Sequence, residues 1–145
     1  RLLSGPSGAV NAQVTALEDP KPGRLRVALA NQPVSCNDKF LFHKTTNRAL
    51  YDDALAARSD CDDVILWNEN GEVNGSTVAN LVIRVGDELL TPPRSAGLLA
   101  GVFREELLVT GQIRERSISR DDLAKASELF LINSVRKWMS ATLVT

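Results

Sequence analysis

The stretch DDVILWNENGEVNGSTVANLVIRV, residues 62–85, carries the pattern that decides the fold. Val64 to Trp67 is too apolar for a strand with one face in water, so it predicts a strand buried on both faces. Asn70-Gly71 is a strong hairpin turn signal, and another apolar strand follows it. The turn at Gly86-Asp87 then leads into ELLTPP, residues 88–93. We therefore expect a β-meander over this part of the chain.

Helical spacing appears on either side of the meander. AGLLAGVFREELLVTGQ, residues 96–112, is the strongest case and ends at Gly111, which suits a C-cap. SRDDLAKASELF, residues 119–130, offers Ser119 as an N-cap with acidic residues in its first turn. A further helix is expected over residues 46–59. The remaining predictions are a hairpin in residues 1–17, a linker at 18–24, a β-rich segment at 25–34, a short strand at 114–119 and closing strands at 129–135 and 137–144.

Composition limits the class of protein. The 145 residues suffice for one domain, and 43% hydrophobic with 24% charged residues is typical of a soluble globular protein. Net charge is −1 with neither sign in blocks, which gives no electrostatic footprint for nucleic acid or a membrane surface. Cys36 and Cys61 lack metal-ligand spacing and suit reduced cysteines of an intracellular protein. Strands and helices without a regular βαβ repeat predict an α+β, or mixed α/β, domain.

Few residues suggest chemistry on their own. Lys44, in FLFHKTTNR at residues 40–48, follows the chain's one histidine at the end of an apolar run that we interpret as the end of a strand. Gly97 and Gly101 stand where the strongest helix begins, and a helix N-terminus favours an anion such as phosphate. A tight helix entry would also explain these glycines. An amine beside an anion cradle is what pyridoxal phosphate requires.

Several ordered motifs then resemble one family. FLFHKTTNRALYDDA, DDVILWNENGEV, TVANLVIRV, LLTPPRSAGLLAGVFREELL and INSVRKW are similar to the carboxyl-terminal half of class IV (fold type IV) pyridoxal-phosphate enzymes. The similarity covers about residues 25–141 and is greatest to the aminodeoxychorismate lyase branch. It implies the carboxyl-terminal domain of the D-amino-acid aminotransferase-like fold, a β-sheet with flanking helices. Residues 1–145 would then be a single cofactor-binding domain of a longer protein whose amino-terminal domain is missing.

The resemblance also implies roles for particular residues. Lys44 matches the lysine that forms the Schiff base with the cofactor and later moves protons at the substrate Cα. Val102 and Phe103 match positions whose backbone amides hold the cofactor phosphate. Asn133 and Ser134 match a second turn that contacts the phosphate. No metal is implied.

One position departs from the family pattern. The family has Val-Thr-Glu-x-x-x-Ala-Asn, in which the glutamate pairs with the pyridinium nitrogen, whereas VNGSTVAN places Gly75 there. Glu72 comes three residues too early and is expected to point elsewhere, and Asn80 matches a position with a mostly structural role. Breaking a buried charge pair costs about 3–5 kcal/mol. If this whole cost raised the activation barrier of the reaction, the rate would fall on the order of 100- to 1000-fold or more.

The function implied by the resemblance is that of a 4-amino-4-deoxychorismate lyase, which releases pyruvate and leaves 4-aminobenzoate, a folate precursor. Two alternatives stay open: a class IV aminotransferase for branched-chain or D-amino acids, and a catalytically degenerate domain with a structural role. The expected partners are a small-molecule substrate, a second copy in a homodimer and a fused or associated aminodeoxychorismate synthase, in the cytoplasm. Without the amino-terminal domain, we expect little or no turnover.

Overall fold

The computed structural model describes residues 1–17 and 23–144. In these ranges the strands are β1 (Leu2–Ser4), β2 (Val10–Ala12), β3 (Leu25–Leu29), β4 (Asp63–Trp67), β5 (Val73–Ser76), β6 (Asn80–Val85), β7 (Glu88–Thr91), β8 (Arg114–Glu115), β9 (Glu128–Asn133) and β10 (Lys137–Leu143). The α-helices are α1 (Lys39–Phe42), α2 (Ala49–Ala56), α3 (Val102–Val109) and α4 (Arg120–Lys125), and a turn of 3-10 helix spans Arg94–Ala96. The predicted linker, residues 18–24, lies mostly outside the described residues.

Eight of these strands form one mixed sheet in the order β5-β4-β3-β10-β9-β6-β7-β8. Strand β3 runs parallel to β4 and to β10, and β7 runs parallel to β8, while the other pairs are antiparallel. The sheet curls, so that β5 at one edge meets the chain after β8 at the other: the Val73 backbone N–H donates to the Ile118 carbonyl at 2.7 Å. The predicted α+β class is confirmed.

Burial of β4 on both faces is also confirmed. Val64, Ile65 and Leu66 are each at most 2% exposed. Because successive side chains of a strand point to opposite faces, Ile65 packs into one hydrophobic cluster with Val73, whereas its two neighbours pack into another with Leu41. Strand β4 therefore separates the main core from the cluster that supports α1.

The two hairpins of the predicted meander form, but the two hairpins do not pair with each other as a meander requires. Strands β4 and β5 pair antiparallel around Gly71, which has φ +78°, and β6 and β7 pair around Gly86, which has φ +59°. Strand β6, however, pairs with β9, and Leu81 stands opposite Leu131. Local alternation of apolar residues identifies strands, but the curl of the sheet decides which strands become neighbours.

The helices are shorter than predicted. Helix α2 occupies Ala49–Ala56 of the predicted 46–59, and α3 occupies Val102–Val109 of the predicted 96–112. Leu98 and Leu99 lie in the loop before α3, because Gly97 at φ +88° turns the chain and the helix begins only after Gly101.

Two predicted helix boundaries hold. Gly111, at φ +70°, follows the end of α3. Ser119 caps α4 in a reciprocal capping box with Asp122, which satisfies two backbone donors at the helix start. Helix α4 ends at Lys125, and the apolar residues that follow form β9 instead of a last helical turn.

The predicted hairpin near the start of the chain forms as well. Strands β1 and β2 pair antiparallel in a sheet of their own, apart from the eight-stranded one. Two of their apolar side chains are exposed, Leu2 at 75% and Val10 at 67%, and Leu3 is half-buried. No helix within the described ranges is long and apolar enough to cross a lipid bilayer.

Candidate functional site

A cavity of about 540 Å³ lies where four segments of the fold converge. These segments are the loop between α1 and α2, the turn between β5 and β6, the loop leading into α3 and the turn between β9 and β10. The volume is in the range of small-molecule sites. The cavity brings together four of the five predicted site residues: Lys44, Val102, Asn133 and Ser134.

Lys44 reaches the cavity from a loop, not from the end of a strand, so that interpretation of the sequence was wrong. The preceding apolar residues form α1, which begins where Asp38 accepts a hydrogen bond from the Phe40 backbone N–H at 2.9 Å. Leu41 is 2% exposed and anchors this helix on β4. A one-turn helix with a single buried leucine thus places His43 and Lys44 at the cavity, where both are exposed.

The start of α3 forms a second wall, and Asn80 fixes it. The Asn80 side-chain amide donates to the Leu99 carbonyl at 2.8 Å, and its oxygen accepts from the Gly101 backbone N–H at 3.1 Å. A Cβ on Gly101 would lie 2.5 Å from that oxygen, so any other residue there would have to displace the Asn80 side chain. The hydrogen bonds of the Asn80 side chain therefore hold the loop before α3, and this loop places Val102, at the start of the helix, at the cavity. The donors at a helix N-terminus suit an anion.

The turn between β9 and β10 completes this wall. Asn133 Oδ1 accepts hydrogen bonds from the backbone N–H groups of Val135 and Arg136, at 3.0 and 2.8 Å. This Asx turn fixes the backbone at Ser134, which lines the cavity.

Phe103, the fifth predicted residue, does not line the cavity. Its side chain is 7% exposed and meets the Trp138 ring edge-on, with centroids 6.3 Å apart. The Lys137 ammonium stands over the Phe103 ring, 4.3 Å from its centroid. Phe103 thus packs the first turn of α3 against the start of β10.

The opposite wall contains the departure seen in the sequence. Gly75 lies in β5 and lines the cavity. Glu72 faces elsewhere: its carboxylate accepts from the Ser117 hydroxyl at 2.6 Å and from the Asn68 amide at 2.9 Å, and these bonds lower its pKa. In the described part of the chain, no carboxylate lines the cavity. Lys44 offers an amine to an aldehyde, and the start of α3 offers backbone donors to an anion, so these residues fit pyridoxal phosphate. At the position where the family has a glutamate for the pyridinium nitrogen, Gly75 supplies no charge.

Sequence reasoning missed Arg48, a second cation of the cavity. Its Nη2 donates to the Thr77 carbonyl at 2.9 Å, and its guanidinium lies 4.9 Å from the centroid of the Tyr51 ring. Burial raises the pKa of the Tyr51 phenol, so the ring is an uncharged support for the guanidinium. Lys44 and Arg48 line the cavity and no Asp or Glu among the described residues does, which makes the cavity suited to an anion. Only the motif HKTTNR in the sequence could have drawn attention to Arg48.

Asp62 and Asp63 do not form a carboxylate pair. Asp62 accepts from the Arg26 backbone N–H at 2.9 Å, whereas Asp63 is buried and accepts from the Thr77 hydroxyl at 2.6 Å. The two side chains therefore have separate partners, one in β3 and one in the turn between β5 and β6.

Comparison with known proteins gives the class. The sequence pattern of the family Amino-transferase class IV matches residues 4–144. This chain belongs to the class IV aminotransferase family, whose members depend on pyridoxal phosphate and process small molecules. The resemblance in the sequence motifs is thereby confirmed at the level of the family.

The matched relatives include both lyases and aminotransferases. The chain is 30% identical to a candidate aminodeoxychorismate lyase of Schizosaccharomyces pombe, over 95% of this chain and 63% of that protein. A crystal structure of a candidate amino-acid aminotransferase from Mesorhizobium loti shares 35% identity, with a TM-score of 0.93 over 99% of this chain and 71% of the other. A candidate 4-amino-4-deoxychorismate lyase from Legionella pneumophila, at 20% identity, shares the fold with a TM-score of 0.82, over 92% and 52%. The chain spans less than two thirds of the Schizosaccharomyces pombe relative's length.

Proposed function

We propose that this chain is the cofactor-binding domain of a pyridoxal-phosphate-dependent 4-amino-4-deoxychorismate lyase. One observation carries the proposal: Lys44 and the first turn of α3 line the same cavity, so an amine and an anion cradle face one space. Membership in a pyridoxal-phosphate-dependent family supports the cofactor, and the similarity to a candidate lyase of Schizosaccharomyces pombe supports the branch.

Lys44 is the catalytic residue of this proposal. Its exposed amine would hold the cofactor through a covalent bond to the aldehyde carbon, with the aldehyde oxygen leaving as water. Once the substrate amine has taken its place, Lys44 would carry protons at the substrate Cα. Its place on a loop leaves the side chain free to move between these two tasks. When bound, pyridoxal phosphate draws electrons from the substrate Cα.

The phosphate would be held on the other wall. Backbone N–H groups of Val102 and Phe103, at the start of α3, and the turn at Asn133 and Ser134 would donate to its oxygens. The Asn80 clamp keeps these donors in place before the anion arrives, so little reorganisation is needed on binding.

The lyase reaction would remove pyruvate from 4-amino-4-deoxychorismate and leave 4-aminobenzoate. An aminotransferase acting on branched-chain or D-amino acids is the second candidate, favoured by the similarity to the Mesorhizobium loti aminotransferase. A degenerate domain with a structural role is the third, favoured by Gly75 on the wall where the pyridinium partner is expected.

The complete active site would need more than these residues. The chain spans 63% of the Schizosaccharomyces pombe relative, and we propose that it works with an amino-terminal domain, as a homodimer, in the cytoplasm, fused to or associated with an aminodeoxychorismate synthase. Three exposed valines on the cavity wall, Val78, Val102 and Val135, offer apolar surface for such a neighbour.

Covalent trapping tests the role of Lys44. The chain is incubated with pyridoxal 5′-phosphate, reduced with borohydride, digested and mapped by mass spectrometry. We expect the label on the Lys44 peptide, loss of the label in Lys44→Ala, and full labelling in Lys39→Ala, because Lys39 does not line the cavity. A label that persists in Lys44→Ala would overturn the assignment.

Substrate assays separate the three candidate functions. On the enzyme with its amino-terminal domain, pyruvate release from 4-amino-4-deoxychorismate supports the lyase, and amino transfer to a 2-oxo acid supports the aminotransferase. Absence of both, together with failure to bind the cofactor, supports the degenerate domain. The 145-residue chain alone should show little or no pyruvate release, and turnover comparable to the longer enzyme would refute the need for a second domain.

A further inference from the structure

The loop that carries Lys44 has little structure of its own. It runs between the end of α1 at Phe42 and the start of α2 at Ala49, and its residues are mostly exposed. Inside it, the Asn47 backbone N–H donates to the Thr45 hydroxyl at 3.2 Å, which shapes the loop locally. The position of Lys44 relative to the opposite wall must therefore be set by contacts outside the loop.

Arg48 makes such a contact. Its Nη2 crosses the cavity wall to the Thr77 carbonyl at 2.9 Å, in the turn between β5 and β6. The guanidinium lies over the Tyr51 ring of α2 and 3.7 Å from Asp52, so its plane is supported on the helix side as well. One side chain thus joins the lysine loop to the segment that contains Gly75.

Thr77 is held in turn by the buried carboxylate of Asp63. Asp63 is 4% exposed, and its Oδ1 accepts from the Thr77 hydroxyl at 2.6 Å and from the Thr77 backbone N–H at 3.2 Å. The same oxygen accepts from the Val64 backbone N–H at 2.7 Å, whereas Oδ2 is buried without a hydrogen-bond partner among the described residues. Asp63 begins β4, which is paired on both sides, so its backbone is held by the sheet.

A buried carboxylate with one unpartnered oxygen is costly, and packing alone does not require one. We propose that Asp63, Thr77 and Arg48 form a relay that positions the Lys44 loop: the carboxylate orients the peptide of Thr77, and the Thr77 carbonyl holds Arg48. These three are positioning residues, and none of them is assigned a chemical step. That the relay governs the reactivity of Lys44 toward the cofactor rests on the proposed function; that it orders the loop does not.

Amide hydrogen exchange of the cofactor-free chain tests the relay directly. Loss of one hydrogen bond changes a local opening equilibrium by about 2- to 10-fold, so Arg48→Met should speed exchange at residues 43–47 by that factor. Arg58→Met is the matched control, since Arg58 lies just beyond the other end of α2 and donates to the Leu29 carbonyl at 3.4 Å. It should leave the loop unchanged.

A second pair of variants keeps Arg48 intact. Thr77→Val removes the hydroxyl donor to Asp63 and should speed exchange in the Lys44 loop, although residue 77 itself is outside that loop. Thr77→Ser retains the hydroxyl and should keep the wild-type exchange rate. Unchanged exchange at residues 43–47 in both Arg48→Met and Thr77→Val, or an equal increase in Arg58→Met, would overturn the relay.

The link to reactivity is read from the same variants. The rate of borohydride-trapped labelling of Lys44 by pyridoxal 5′-phosphate should fall by about 2- to 10-fold in Arg48→Met and Thr77→Val and recover in Thr77→Ser. An unlabelled wild-type chain refutes the proposed function and leaves the exchange comparison to decide the relay. Normal labelling with faster exchange refutes the effect on reactivity alone.

Discussion

Two walls of one cavity differ in how completely they are built. The wall proposed to hold the phosphate, called here the phosphate wall, comprises the start of α3 and the β9–β10 turn. Asn80 is bonded to Leu99 and Gly101 there, and Asn133 closes its own turn. The ring wall, residues 75–79, presents Gly75 and no carboxylate among the described residues. The first wall has side-chain hydrogen bonds that hold its loop and its turn in place, and the second presents no charged side chain.

This difference suggests how the two functions of such a site separate. Holding the anionic end of a cofactor depends on backbone donors, which a clamped loop provides regardless of other residues. Strengthening its electron withdrawal depends on one charged side chain. We therefore expect this chain to bind cofactor well and to activate it weakly.

The largest expected effect is a gain on the ring wall. Gly75→Glu introduces the missing carboxylate and should raise turnover of the longer enzyme by up to about 100-fold, the lower end of what a buried charge pair is worth. A Cβ at position 75 would lie 3.3 Å from the Ala79 carbonyl, so the turn must move by a few tenths of an ångström. Turnover is measured under substrate saturation.

Gly75→Gln is the control for that gain, since it adds a similar volume without the charge. Equal activation by Gln and Glu would mean that shape, not charge, was missing. No activation by either would mean that another group already fills the role.

A somewhat smaller effect is expected from damage to the phosphate wall. Gly101→Ala drives a Cβ to 2.5 Å from Asn80 Oδ1, and overpacking of this kind costs about 1–3 kcal/mol. Affinity for pyridoxal 5′-phosphate, measured by titration, should fall about 5- to 100-fold. Gly5→Ala, whose Cβ has 4.0 Å of clearance in the separate hairpin, should leave affinity unchanged.

The double variant tests the physical reason for that loss. In Asn80→Ala the obstructing oxygen is gone, so adding Gly101→Ala should cost less than it does alone, with a coupling of about 1 kcal/mol or more between the two changes. Simple additivity of the two losses would show that the clamp and the glycine act independently.

The smallest expected effect concerns Glu72, the residue just before β5. Hydrogen bonds from Ser117 and Asn68 lower the pKa of Glu72 in the folded chain. Because the folded pKa is below the unfolded one, this stabilisation is present above the unfolded value near 4.3 and is lost as the pH falls through the folded value. Ser117→Ala should lower stability at pH 7 by less than about 1 kcal/mol.

Denaturant titrations at pH 7 and at pH 3 measure this contribution. The difference between wild type and Ser117→Ala should shrink at the lower pH. A difference that is constant or larger at pH 3 would contradict the assignment to the ionised Glu72 carboxylate.

The sequence predicted what depends on neighbours along the chain. The hairpins at Gly71 and Gly86 and the cap at Ser119 follow from local turn and capping chemistry, and all three were right. The placement of β6 beside β9, and the bond from Arg48 to Thr77, join residues far apart in sequence. No local pattern encodes them.

Motif resemblance singled out Lys44, Val102, Asn133 and Ser134, which line one cavity, but it did not indicate what holds them there. Leu98 and Leu99 were assigned to a helix because their spacing is helical, whereas the Asn80 clamp holds Leu99 in a loop. The two hydrogen bonds of the Asn80 side-chain amide produce no repeating pattern of residues, so the sequence does not reveal them.

The ionisation state of the cofactor ring tests the contrast between the two walls most directly. Pyridoxal 5′-phosphate labelled with ¹⁵N at the ring is bound to wild type and to Gly75→Glu, and the ring-nitrogen chemical shift is compared at neutral pH. The absence of a carboxylate on the ring wall predicts an unprotonated nitrogen in wild type and a protonated one in the variant. A protonated ring nitrogen in wild type would contradict the account.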